Sequence, residues 1–140
     1  MKNIIYFSED TSFTLRTKTT TRSWLLKCAK SEKQNILELN YIFCSDNYLK
    51  KINKQYLHHD YFTDIITFPT AAPGDKNISG DIFISIDRVR DNAKTYGVKT
   101  NEELHRVMVH GLLHLCGYGD KTSSQEKIMR AKEDFYLKKM

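Results

Sequence analysis

His110-Gly111-Leu112-Leu113-His114-Leu115-Cys116-Gly117-Tyr118-Gly119-Asp120 is the stretch whose reading decides the rest. Histidines four residues apart stack on one face of a helix, one turn above the other. Gly117 then offers a helix stop, and Asp120 follows just past the turn. Two rigidly held imidazoles and a third ligand swung in from outside the helix are the arrangement of a divalent-metal site. The candidate ligands are His110, His114 and Asp120. On a wheel of about 100° per residue, Leu104, Met108, Leu112 and Leu115 form a core face. Glu103, Arg106, His110, His114 and Gly117 fall opposite. The expectation is a largely buried helix with a narrow polar stripe. Such a stripe needs partners, and a metal facing a cleft would supply them. A lone histidine on an apolar helix is more simply a satisfied core residue. The repeat at four residues, with a carboxylate beyond a helix-ending glycine, favours the metal.

Working outward, Thr100-Asn101-Glu102-Glu103 reads as a capping box that fixes where the histidine helix begins. Thr122-Ser123-Ser124-Gln125 reads as another, opening a last helix with Ile128, Met129, Lys132 and Phe135 along one side. Ser85 stands where a preceding helix would start, with Val89, Ala93 and Tyr96 on its core side and Gly97 as its stop. Residues 64–68, ending at Pro69, and residues 80–85 are β-rich and are expected to pair across a turn at Pro73-Gly74-Asp75. Residues 36–44 alternate as a strand, placing Leu37, Leu39, Tyr41 and Phe43 on one face. Asp46 can cap the next helix, with Leu49, Ile52 and Tyr56 as its buried stripe, broken at His58-His59-Asp60. Residues 4–7 suggest a first strand and the threonine-rich residues 11–21 a loop. Trp24, Leu25, Cys28 and Ala29 then fit an amphipathic helix running to about Lys33. The sum is an α+β domain, a small mixed sheet of about four strands with about five helices around it and the metal helix inside.

At 140 residues the chain is expected to form one domain, residues 1–140, with its own core. Its apolar runs are too short to span a bilayer. The first ten residues lack the pattern of a signal peptide, so an intracellular, cytoplasmic protein is expected. Cys28, Cys44 and Cys116 are odd in number, widely spaced and in apolar contexts, which suggests reduced thiols. The net charge of +5 permits a polyanionic partner such as RNA, although on charge alone a solvated lysine-rich surface is the simpler reading.

His-Gly-x-Leu-His-Leu-x-Gly-Tyr over residues 110–118 resembles the signature of the YbeY endoribonucleases. Residues 53–69, with Tyr56, Asp60, Thr63-Asp64 and Phe68-Pro69, resemble that family's central block, and Gly80-Asp81-Ile82 resembles its Gly-Asp-Ile strand. The resemblance implies a zincin-like mixed sheet with surrounding helices and a zinc-dependent hydrolase cutting single-stranded RNA. It implies roles in small-subunit ribosomal RNA 3′ end maturation and ribosome quality control, with the ribosome or its small subunit as partner. It also implies a metal in a basic cleft, held by His110, His114 and the residue at Asp120.

Two positions depart from the family pattern. Asp120 stands where the family most often has histidine; aspartate also ligates zinc, and two histidines with one carboxylate also suit iron or manganese. Leu57 stands where the family carries an arginine implicated in catalysis, so either His58, His59 or a lysine elsewhere supplies the cation that phosphate chemistry needs or the nuclease activity is weak; the simpler reading of His58-His59 is an exposed pair at a helix end. Thr67 matches a small hydroxyl residue on the cleft-side strand. The pattern also resembles an extended zincin protease motif, but those enzymes need a glutamate after the first histidine, where this chain has Gly111. The remaining alternative is a non-catalytic, metal-stabilised RNA-binding or ribosome assembly factor.

Overall fold

The computed structural model describes residues 3–71 and 76–140; the expected turn at Pro73-Gly74-Asp75 lies outside the described residues. The chain runs β1 (Ile4–Glu9), α1 (Lys18–Ser31), β2 (Asn35–Cys44), α2 (Asp46–Leu57), β3 (Ile65–Pro69), β4 (Asn77–Ser85), α3 (Ile86–Tyr96), α4 (Thr100–Leu115) and α5 (Ser123–Leu137). The sheet order is β1-β2-β4-β3. The first three strands in that order are parallel, and β3 pairs antiparallel with β4, as the expected hairpin requires. Parallel neighbours need a crossover. Helix α1 supplies it between β1 and β2, and α2 with β3 intervenes between β2 and β4. The α+β mixed sheet with five helices is therefore as expected.

One sheet face carries Ile4, Leu39, Tyr41, Phe43, Ile82 and Ile84 into the main core. Leu104, Met108 and Leu112 of α4 meet them there, each at most 1% exposed. Burying each such side chain contributes about 1.5–3 kcal/mol. This anchors α4 although its polar stripe faces a cleft. Tyr41 Oη donates to the Met108 carbonyl at 2.8 Å, tying the middle of α4 to a central strand. Trp24 Nε1 donates to the Tyr136 carbonyl at 2.8 Å and fixes α5 against α1. The opposite sheet face packs Cys44, Ile66, Phe68 and Phe83 against Leu49 and Ile52 of α2.

Several local expectations are corrected. Leu37 is 58% exposed while Ile36 is buried. The register of β2 against β4 shifts between Ile36 and Glu38, a bulge that moves Leu37 off the face shared by Leu39, Tyr41 and Phe43. Ser45, not Asp46, caps α2, its hydroxyl accepting from the Tyr48 amide. Asp46 instead accepts from Ser85 Oγ at 2.6 Å and pairs with Arg88 at 2.9 Å, joining α2 to α3. Tyr56 and Tyr96 are exposed rather than buried. Helix α1 begins at Lys18, earlier than the threonine run suggested, and ends at Ser31. No capping box opens α4: Lys99 is its cap position, without a side-chain bond, and Glu103 is buried. The box at Thr122 and Gln125 does form. Ile128 and Phe135 are exposed, and the buried side of α5 is Met129, Glu133 and Tyr136. The three cysteines are free; Cys116 is only partly buried.

Candidate metal centre and its cleft

Helix α4 holds His110 and His114 one turn apart, and the chain beyond it is bent back by a tight C-terminal turn. Gly117 takes φ +107°, a conformation that favours glycine. The Tyr118 amide reaches the Leu113 carbonyl at 3.1 Å, closing the turn. This reversal delivers Asp120 to the histidines. His110 Nε2 and His114 Nε2 lie 3.0 Å apart, and Asp120 Oδ2 is 3.2 Å from each. The three candidate ligands are thus brought together, partly buried and open to a cleft.

The outer ring nitrogens fix which atoms face the centre. Glu133 Oε2 lies 2.6 Å from His110 Nδ1, and the Tyr118 carbonyl 2.8 Å from His114 Nδ1. Both partners accept, so each Nδ1 carries the proton, and each neutral ring turns an Nε2 lone pair inward. Two lone pairs and a carboxylate oxygen within 3.2 Å repel one another unless a cation sits among them. Tetrahedral zinc with bonds of about 2.0 Å places its donors about 3.3 Å apart. An octahedral ion with bonds of about 2.1 Å places adjacent donors about 3.0 Å apart. The donor set fits either ion, and both have the right charge.

Glu133 was missed by sequence reasoning. It is 5% exposed on α5, pairs with Arg106 at 2.9 Å, and Arg106 also holds Asp134. A carboxylate in the buried run Met129, Glu133, Tyr136 signals a demand for partners. Burial alone would strip the proton from His110, but Glu133, followed by Asp120 and Asp64, outweighs it and raises its proton affinity. The loop is braced as well. Tyr118 Oη donates to Glu32 at 2.6 Å, and Lys132 and Tyr136 bind the same carboxylate. Burial pushes the Glu32 carboxyl up, yet these three bonds together hold it below its ordinary value.

Asp64 and Glu103 also line the cleft; the helical wheel places Glu103 on the histidine stripe, as found, and the sequence names Asp64 only within the block that carries the resemblance. Desolvation raises both carboxyls and Glu133 adds to each; Asp64 also raises Glu103, while His110 offsets part of the rise at Asp64 and Arg106 and Arg130 part of that at Glu103. The folded Asp64 carboxyl titrates above its ordinary value near pH 4, so ionising it costs stability. That cost is absent well below the ordinary value and complete above the folded one, and stability is lost as pH rises between them. Asp64→Asn is therefore expected to raise Tm at pH 7 and to leave it unchanged below about pH 3, where wild type is protonated too; thermal melts at both pH values check this.

The cleft measures about 880 Å³. Arg106, Lys121 and Arg130 face it, against the carboxylates of Asp64, Glu103, Asp120, Glu126 and Glu133. Among the described residues that line it, the cleft is acidic and not basic as the resemblance implies: acids outnumber bases by two, which one divalent ion would offset. Leu57 is 40% exposed on the cleft wall, so the departure from arginine lies at the site itself. His59 lines the cleft, and His58 caps α2 in the left-handed conformation. Thr67 lies on the cleft strand as expected. Gly111 explains the missing protease glutamate in steric terms: a Cβ there would meet Ile82 at 2.9 Å and Ile65 at 3.0 Å, because α4 presses on the sheet. His105 is buried away from this centre, edge-on to Trp24.

The chain matches the family model described as Endoribonuclease YbeY over residues 4–140. It is 56% identical over 136 residues to the protein named Endoribonuclease YbeY of Cytophaga hutchinsonii, covering 97% of this chain and 94% of that one. It is 49% identical over 131 residues to the protein of the same name of Flavobacterium johnsoniae, covering 94% and 93%. Among solved structures, a Thermotoga maritima protein determined in solution superposes with a TM-score of 0.70 at 26% identity, covering 96% of this chain and 87% of that one. With its helix-borne histidine pair, its returning carboxylate and these relatives, the chain belongs to the YbeY endoribonuclease family.

Proposed function

We propose that this protein is a metal-dependent endoribonuclease that cuts single-stranded RNA, with zinc as its ion and His110, His114 and Asp120 as the ligands. The reading extends to ribosomal RNA processing at the small-subunit 3′ end, to ribosome quality control and to a cytoplasmic site of action. No helix among the described residues is long and apolar enough to cross a membrane. The observation that carries the reading is the convergence of two inward lone pairs and a carboxylate oxygen within 3.2 Å in an open cleft.

Such an ion would supply Lewis acidity toward the scissile phosphate and a more acidic water. The chain's own residues do the rest. Glu133 and the Tyr118 carbonyl hold the two rings in the ligating tautomer. Arg106 is engaged by Glu133 and Asp134, and the exposed Arg130 has a longer contact with Glu133 at 3.7 Å, so the exposed Lys121, with Arg130 beside it, is the cation placed to meet phosphate in place of the family arginine. Asp64 and Glu103, with raised proton affinity, are the carboxyls suited to carry a proton during cleavage. Among the described residues three protein ligands converge, and the set opens to the cleft, which favours catalysis over a closed structural site.

Incubation of the purified protein with an unpaired oligoribonucleotide should give cleavage that a chelator abolishes and added zinc restores. A parallel casein digestion should stay blank. Binding of RNA that survives chelation, with no cleavage at any metal concentration, would support the assembly-factor alternative instead.

A further inference from the structure

The wall of the cleft between α2 and β3 carries a structure that the metal chemistry does not use. His59 and Tyr61 stack with ring centroids 5.1 Å apart and planes 17° from parallel. Tyr61 Oη and His59 Nδ1 lie 3.0 Å apart, so each ring fixes the other's rotation. Both line the cleft that contains the triad, yet His59 is exposed and Tyr61 is 53% exposed. The pair is held from beneath. Asn53, only 2% exposed, donates from its side-chain Nδ2 to the Tyr61 carbonyl at 3.1 Å, and its backbone carbonyl accepts from the His59 amide at 3.2 Å as α2 ends. His58, in the left-handed conformation, makes the bend that brings the pair into the cleft. The buried Asn53 amide thus ties the position of Tyr61 to the end of α2, since breaking that bond would leave a buried polar group unpaired. The exposed cations Lys121 and Arg130, before and on α5, line the same cleft.

We propose that the stacked His59–Tyr61 pair is a base-stacking platform, seating an unpaired nucleotide of the RNA while its phosphates meet the metal centre and the cations of α5. The inference rests on the proposed function for its occupant and adds the residues that select unpaired RNA. A polynucleotide alternates flat apolar bases with charged phosphates, and the same cleft is lined by the stacked rings, the candidate metal ligands and the exposed cations. Base–aromatic stacking tolerates any base but needs a free face, which a base inside a duplex does not have. A bound divalent ion does no more than balance the acid excess among the described residues of the cleft, so phosphate attraction is a modest source of affinity and stacking has to contribute a share.

The test uses metal-loaded full-length protein and two probes: an unpaired oligoribonucleotide for cleavage, and a single-stranded oligodeoxyribonucleotide of the same sequence for binding. Stacking does not require the 2′-hydroxyl, so both should respond. Tyr61→Ala should raise KM and the Kd for the deoxy probe at least about fivefold, with kcat nearly unchanged and the metal content intact. Tyr61→Trp should restore both. Phe62→Ala removes a neighbouring exposed ring that lies under Lys50 and Arg88 and not on the cleft lining, and should do nothing. Abasic positions in the probe should erase the difference between wild type and Tyr61→Ala. Unchanged KM and Kd in Tyr61→Ala, or equal binding of a duplex, would overturn the platform while leaving the nuclease reading intact. Binding lost in Tyr61→Ala without any wild-type cleavage would uphold the platform and sink the nuclease. A wild type that neither binds nor cuts would remove both.

Discussion

His114→Ala is expected to purify without stoichiometric metal, with affinity lower by more than about 100-fold and RNA cleavage lost with it. Removing an outer partner of a ligand commonly costs about 10- to 100-fold, and removing a ligand costs more. Among the described residues three donors converge here, so the remaining His110 and Asp120 would hold an ion with two bonds. The fold should survive. His114 is partly exposed and its protein contacts are the Tyr118 carbonyl and the triad itself, whereas α4 is anchored by Leu104, Met108 and Leu112 on its other side. Elemental analysis together with a thermal melt separates loss of metal from loss of structure. An unchanged metal content in His114→Ala would mean that the ring is packing and not a ligand.

Glu133→Gln should weaken metal binding by about 10- to 100-fold with the ligand set intact. The carboxamide oxygen can still accept from His110 Nδ1, but the charge that favours a cation-binding imidazole is gone. A second readout follows from the sign of the His110 shift. Glu133 and Asp120 raise its proton affinity above the ordinary value against the opposing effect of burial. Metal binding needs the deprotonated ring, so in wild type affinity rises as pH climbs through that raised value. Glu133→Gln lowers the His110 proton affinity and should move the acid limb of metal binding to lower pH, even as affinity at neutral pH falls. Competition against a fluorescent chelator across pH measures both. Weaker binding with an unmoved acid limb would place the role of Glu133 in packing alone.

The triad was legible in the sequence because it is nearly local. Helical period joins His110 to His114, and the glycine that ends α4 brings Asp120 back within six residues. The sheet alternation of Leu39, Tyr41 and Phe43 was legible for the same reason, since period two is a property of the strand itself. What failed depended on partners distant in the chain. Leu37 looked like a core residue until pairing with β4 inserted a bulge beside it. The buried side of α5 was taken one residue out of phase, so Ile128 and Phe135 were expected inside. Glu133, the residue that orients His110 from 23 positions away, went unnoticed. The supposed capping box at Thr100 hid a similar case, because Glu103 faces the cleft instead of the helix start. Asp64 and the His59–Tyr61 pair became visible only when β3 and the end of α2 were placed along one cleft wall.

The central claim is that a single cation is held by two imidazoles and one carboxylate. X-ray absorption at the metal edge of the purified protein tests it most directly. The structure predicts one metal per chain in a shell of nitrogen and oxygen at about 2.0–2.1 Å, with the outer scattering of two imidazoles and no sulfur. A sulfur shell at about 2.3 Å, which would bring in neighbouring Cys116, or a protein that retains no metal after purification in its presence, would contradict the account.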